Sequence, residues 1–487
     1  MRRFPRDVEI DWETAARQPA TKALAELCVA PVERDAVASD RWSRRRWFEL
    51  ARGSRRGSSL AWTVAQLGDL ATAREVLDRL YDSFRVFVSW RLRDPAATRT
   101  FSRFPVRRRF FHRRLLGGVP AVRDVVRQPL PPPWRLTRPA ARALIDVVRV
   151  TLGVRHRETD PVTYANPRDV TLFSLGRGVD VALFGMVPER RLPLESYLGF
   201  VAAKNGVPIA YGGAWVFLDR ARIGINVFDA FRGGESGYLF AQILRVYARH
   251  LGVRRFVVEP FQFGRRNEEG IRSGAFWFYY RLGFRPVDPS RARLADAEWR
   301  RLVAHPGVRS APSTLRRLAA GNLALDVDRD GPGPDGVPDL ARIGLAVTRF
   351  VGQAWRGNRR TAEAAALGRV IRRLGVRGVQ DWPPGERDGF QRLSLVVGLI
   401  PDLAGWPPRD KAALARLMRA RGAARERAFA IRLPRHPRFC DALRSMAWEG
   451  DRVATALAAR IRGGVGARPR QPVPAPAAGG AVRLSRL

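Results

Sequence analysis

Lysine is almost absent from this chain. Of 87 basic residues only Lys22, Lys204 and Lys411 are lysine, and the other 84 are arginine. Cysteine is as scarce. Cys28 and Cys440 alone cannot build a disulfide framework or a four-thiolate zinc site. The five histidines, His112, His156, His250, His305 and His436, are too scattered for a metalloprotease helix or a histidine-rich metal cluster. No lysine follows a glycine, which excludes a phosphate-binding P-loop. Neither a G-x-S-x-G elbow nor a C-x-x-C pair occurs. No apolar run reaches the roughly 18 residues of a transmembrane helix. No apolar stretch follows the opening Met1–Asp7, so no secretory signal is visible, and the expected compartment is the cytoplasm.

What is present is enough for folded cores. Hydrophobic residues make up 46% of 487 positions, which excludes global disorder. At about 150 residues per domain the length suggests about three units. The net charge is +41, from 87 basic and 46 acidic side chains. The arginine skew points to compositional bias, and a chain this basic binds polyanions at low salt whatever its role. The charge is uneven: +15 over residues 1–164, +6 over 165–290 and +20 over 291–487.

Hydrophobic periodicity divides the chain in the same places. Residues 1–164 read as a helical basic region, strongest over Leu60–Trp90, with an extended proline loop at Pro129–Pro133 and a helix at Arg138–Gly153. Residues 165–290 carry the strand signals: Val170–Phe173, Val179–Phe184, Tyr197–Ala203, Pro208–Leu218, Arg222–Phe228 and Phe256–Glu259. Asn205-Gly206 is a strong hairpin turn. A helix from about Glu235 to His250 has Phe240, Leu244, Tyr247 and Leu251 on one face. Another is expected over Ile271–Leu282, closed by Gly283. Residues 291–463 return to helix, clearest at Leu340–Trp355, Thr361–Leu374, Asp388–Ile400 and Asp410–Arg421, with Asp410 as a cap. Residues 464–487 read as a disordered tail. The expected fold class is α+β, a central mixed sheet flanked by mainly helical N- and C-terminal regions.

One acidic loop, Asp326-Val-Asp328-Arg-Asp330-Gly331, has the alternating carboxylates that can wrap Ca²⁺. Its twelfth position is Val337, where an EF-hand needs a bidentate Glu, so a solvated loop is the competing reading. No metal site is expected.

The informative run is Phe231-Arg232-Gly233-Gly234-Glu235-Ser236-Gly237, between a strand and a helix. A glycine-rich turn entering a helix leaves N–H groups unpaired at the positive end of the helix dipole, which suits a phosphate or pyrophosphate. In this context the segment 165–290 resembles the GNAT acyltransferase superfamily. That family's run V-x-P-x-x-R-x-x-G-x-G/A is matched at Val227, Arg232 and Gly237. The tyrosine of its later helix, followed by Gly-Phe, is matched at Tyr279 with Gly283-Phe284. Asp229 and Glu235 stand where the family has Pro and Gly, and Asn267 is similar to the family's Asn after the fifth strand.

The resemblance implies a GNAT-like fold around 165–290 and a mechanism. Acetyl-CoA or another acyl-CoA, as co-substrate, would lie between strands Arg222–Phe228 and Phe256–Glu259. The backbone of Val227 would polarise the thioester carbonyl. Arg232, Gly233, Gly234, Glu235, Ser236, Gly237 and Asn267 would form the cofactor-binding set. Tyr279 would be the general acid, and Glu259 or Asp229 the base that deprotonates an unidentified amine acceptor. Two alternatives remain open. One is a basic, RNA-associated binding protein on a GNAT scaffold without catalysis, and the other a transferase using an aminoacyl donor.

The flanks add a partner expectation. Phe101–Leu116 interleaves Arg103, Arg107, Arg108, Arg109, Arg113 and Arg114 with four phenylalanines, and Trp42–Trp47 has the same pattern. Such runs suit non-specific single-stranded nucleic acid, or else form a helix with a solvated arginine face over buried phenylalanine.

Overall fold

Asn205 and Gly206 turn the chain where the sequence predicts it, with φ of 49° and 79°. Two consecutive positive φ values match the twist of the strands they join, Ser196–Lys204 and Val207–Phe217. The structure, a computed structural model, describes residues 4, 6–15, 19–39, 41, 43–54, 57–106, 108–116, 121–329, 331, 333 and 336–464. Trp42, Arg107, Asp330 and the expected tail from 465 onward lie outside the described residues.

The chain divides into two units, Met1–Ser102 and Arg103–Leu487. In the first, β1 (Val8–Ile10) pairs antiparallel with β2 (Val88–Trp90). Short helices fill the interval, and Trp47, Phe48 and Trp62 pack edge to face. The expected long helical stretch Leu60–Trp90 is instead two helices, Ser59–Gly68 and Arg74–Ser83, and then β2. The Ser58 hydroxyl caps the first of them by accepting from the Ala61 N–H.

The second unit is built on an eight-stranded sheet. Its strands are β3 (Ala165–Ser174), β4 (Val179–Met186), β5 (Ser196–Lys204), β6 (Val207–Phe217), β7 (Arg220–Val227), β8 (Arg255–Val258), β9 (Arg285–Pro286) and β10 (Leu323–Asp326). Their spatial order is β3-β4-β5-β6-β7-β8-β10-β9. Every neighbouring pair is antiparallel except β7 and β8. A parallel pair needs a crossover, and here it is the helix Ser236–Leu251. That helix ends at Gly252 in the left-handed region (φ 79°) and buries Phe240, Leu244, Tyr247 and Leu251 on the sheet, as its apolar spacing predicts.

Three sequence expectations need correction. The segment 291–463 is not all helix, because β10 completes the sheet between β8 and β9. The helix expected over Ile271–Leu282 is broken at Gly274 (φ 64°) into Glu268–Ser273 and Ala275–Arg281. Asp410 does not cap its helix: Pro407 holds that position, and the Asp410 carboxylate pairs with Arg438 at 2.9 Å.

The helix Arg138–Gly153 packs on one face of the sheet through Leu144, Ile145, Val148 and Leu152, and the Ser236–Leu251 helix covers the other. The C-terminal helices bury Phe217 and Leu218, at the end of β6, in their own core. A buried ionic knot ties them to the sheet as well. Arg191 and Arg421 both pair with Glu426, and the Glu426 N–H donates to Asp169 at 2.6 Å. Burial pushes the Asp169 carboxyl up to about 6, against the pull of the Glu426 N–H and Arg191. Among the described residues no helix is long and apolar enough to cross a membrane.

Candidate functional site

The parallel pair β7/β8 holds together only at its start. Arg220, Ala221 and Arg222 face Arg255, Phe256 and Val257. β8 then ends at Val258 and turns into a short helix at Pro260–Phe263, while β7 runs on to Val227. Among the described residues, Gly224–Val227 therefore have no strand neighbour on that side. The Phe228 N–H bonds the Ile209 carbonyl at 2.9 Å on the β6 side. Backbone groups alternate along a strand, so the N–H groups of Ile225 and Val227 face the open side, while that of Ile223 closes the last rung of the β7/β8 ladder. The Val227 carbonyl accepts from Arg232 Nε at 3.2 Å.

The loop after β7 supplies the helix entry. Gly233 and Gly234 have φ of 82° and 50°, which suits glycine. The Ser236 hydroxyl donates to the Gly233 carbonyl at 2.7 Å and tightens the turn. Gly237 follows in the first turn of the helix, where N–H groups lack intrahelical partners. Arg232 is not held free for a phosphate: its guanidinium bonds Glu269 at 2.6 Å and Asp229 at 2.9 Å.

Glu235 is the residue whose role the sequence leaves least clear. Its side chain is 9% exposed and turns back toward the sheet. It accepts from Lys204 at 2.9 Å, from Arg177, and from the Leu116 N–H at 3.0 Å, with His112 at 3.4 Å. Burial alone would raise its carboxyl. Hydrogen bonds from Lys204, the Leu116 N–H and Arg177 outweigh that and lower it to about 2. The carboxylate at the helix entry is thus neutralised internally. A pocket of about 140 Å³ adjoins it, lined among others by His112, Lys204, Phe231, Ser236 and Leu239.

This cluster carries a pH prediction. The unfolded carboxyl titrates near 4.3, and the folded one is depressed. Its stabilising contribution is therefore full above about pH 4.3 and is lost as pH falls toward about 2. Glu235→Gln should lower the urea midpoint at pH 7, and the gap from wild type should close toward pH 2. A gap independent of pH would contradict the ion cluster.

The other expected site residues fall in different surroundings. Tyr279 is buried, with its ring against Phe240 at 5.8 Å and Phe263 at 6.2 Å. Burial raises its phenol above the ordinary range, so it stays protonated. No hydrogen bond engages its hydroxyl among the described residues. Tyr280 differs: its hydroxyl donates to Asp296 at 2.5 Å. Glu259 is half-exposed and paired with Arg222 at 3.1 Å. Asp229 is exposed and paired with Arg232 and with Arg157 at 3.5 Å. Asn267 is a helix cap, accepting from the Gly270 N–H at 3.1 Å and donating to the Phe261 carbonyl at 2.8 Å. In the acidic loop, Asp326 bonds Arg255 and the Gly333 N–H, and Asp328 pairs with Arg254.

Sequence reasoning missed the floor of the site. Gly199, Gly213 and Gly224 stand in register across β5, β6 and β7. A methyl group on Gly213 would strike the Tyr197 hydroxyl, and one on Gly224 the Gln262 carboxamide. The glycines let those polar groups lie flat on the strands beside the open edge. Glycines inside strands signal such close approach, so the row was legible. Asn226 donates to Glu158 at 3.3 Å and Arg222 to Glu195 at 2.8 Å on the same face. Carboxylates gather here in a chain that is otherwise strongly basic.

Compared with protein-family models, curated proteins and solved structures, the chain has no match.

Proposed function

We propose that the chain is an acyltransferase of the GNAT type, moving an acyl group from acyl-CoA to an amine. The observation that carries this is the split between β7 and β8 at the sheet's single parallel pair. Among the described residues, a split there leaves the Ile225 and Val227 N–H groups without a partner beside a helix N-terminus, which suits a ligand with amide groups at one end and phosphates at the other. Unpaired N–H groups at Ile225 and Val227 would pair with the pantetheine arm and polarise the thioester carbonyl. The Gly233–Gly237 turn would hold the pyrophosphate.

The chemistry assigned to the residues is direct transfer. The amine nitrogen attacks the thioester carbonyl, the C–N bond forms and the C–S bond breaks. Tyr279 gives its phenolic proton to the departing thiolate. The amine proton leaves to a carboxylate, and Glu259 and Asp229 are the candidates at the ends of the two strands. Both are held by arginine, so the incoming amine must compete with Arg222 or with Arg157 and Arg232.

A second reading, a binding protein on the same scaffold without catalysis, is favoured by Glu235, whose carboxylate already sits at the helix entry. One assay separates the two. Acyl-CoA should stabilise the folded chain and be consumed with release of free thiol when amines are supplied. Stabilisation without thiol release from any amine would favour the binding protein.

A further inference from the structure

We propose that the segment 108–116 is a docking strap for an anionic lipid surface. The sequence allows a helix here, but the structure makes it an irregular coil laid along the end of the sheet. It is pinned at both ends. Asn205 exchanges two hydrogen bonds with the Phe110 backbone, each 2.8 Å, and the Leu116 N–H donates to Glu235 at 3.0 Å. Arg177 lies 5.0 Å over the Phe110 ring. Between these anchors His112 faces Glu235, and the other side chains are exposed. Phe111 is 80% exposed, Leu115 61% and Leu116 39%. Arg108, Arg109, Arg113 and Arg114 are exposed, and among the described residues none of their guanidinium groups makes an ion pair.

An exposed apolar set interleaved with unpaired cations, on a coil fixed to a rigid sheet, matches the two requirements of interfacial binding. Apolar side chains enter the headgroup region, and cations meet anionic lipid. Single-stranded nucleic acid has the same charge but needs a series of free rings for stacking. Here Phe110 is covered by Arg177, only Phe111 is free, and the other two apolar groups are leucines. The chemistry therefore favours lipid. This inference does not depend on the acyltransferase proposal.

The test must separate the strap from a bulk charge of +41. The full chain is co-sedimented with phosphatidylcholine vesicles containing phosphatidylglycerol. Arg108, Arg109, Arg113 and Arg114 are changed together to Gln. The control changes Arg300, Arg359, Arg360 and Arg409 to Gln, removing equal charge from exposed helical positions elsewhere. The strap variant should bind at least about tenfold more weakly, while the control changes little. A third variant, Phe111→Ser with Leu115→Ser and Leu116→Ser, should lose the binding that survives raised salt. Equal loss in strap and control variants would overturn the proposal. So would unchanged vesicle binding in the strap variant accompanied by loss of poly(U) binding, which would make the strap a nucleic-acid surface. Melting temperatures of all variants check that each is folded.

Discussion

Tyr279→Phe should lower turnover roughly 10- to 1000-fold and leave acyl-CoA affinity unchanged. The substitution removes one hydroxyl that no described residue engages, so folding should not suffer. The ring keeps its contacts with Phe240, Phe263 and Phe284. What is lost is a proton donor that burial keeps protonated. Tyr280→Phe is the comparison, and its expected signature is opposite. It removes the bond to Asp296 and should cost about 1 kcal/mol of stability with turnover intact. Steady-state kinetics and a melting curve on both variants decide the matter. Activity lost in Tyr280→Phe but kept in Tyr279→Phe would move the acid by one residue. Full turnover in both would leave protonation of the thiolate to water or the acceptor.

Glu426→Ala should destabilise the second unit by about 3–5 kcal/mol. Glu426 is fully buried and is the shared partner of Arg191 and Arg421, themselves buried. Its removal leaves Arg421 without its carboxylate and Arg191 with only Asp169, at 3.9 Å, in a buried setting. Burial already lowers the Arg421 pKa despite Glu426, so the charge is costly there even when paired. Arg191 would keep its bonds to the carbonyls of Met186, Ala423 and Ala424. Those bonds, with Asp169 at 3.9 Å, compensate part of the loss at Arg191 but do nothing for Arg421. Glu363→Ala, at an exposed helical position, is the control and should stay within about 0.5 kcal/mol of wild type. A urea midpoint for Glu426→Ala equal to that control would show that the knot contributes nothing.

Local signals in the sequence suffice where one residue decides the backbone. Asn205-Gly206 fixes a hairpin, and the spacing of Phe240, Leu244, Tyr247 and Leu251 fixes a buried helix face. Helices Arg138–Gly153 and Leu340–Trp355 run over the expected residues. β10 was hidden because four residues, Leu323–Asp326, carry no period long enough to separate strand from helix. Its identity comes from β8 and β9, which lie far off in sequence. Gly274 falls inside the helix expected over Ile271–Leu282, yet its left-handed backbone ends one helix and begins the next.

The site was legible in its backbone and less so in its side chains. The glycine turn and the helix entry follow from sequence, whereas the fate of Glu235 depends on Lys204 and Arg177, on other turns of the sheet. Arg232, Glu259 and Asp229 are paired in the structure, with partners that the sequence does not name. In a chain with 84 arginines, an acidic side chain near the surface readily finds a guanidinium, and only the fold says which one.

The central claim is that an acyl-CoA binds along the open edge of β7. Thermal melting of the intact chain, with and without acetyl-CoA and longer acyl-CoA esters, tests it most directly. At a concentration 100 times its dissociation constant, a bound ester adds about 2.7 kcal/mol to stability. The melting temperature should rise with ester concentration. No rise with any ester at millimolar levels, on protein shown to be folded, would contradict it.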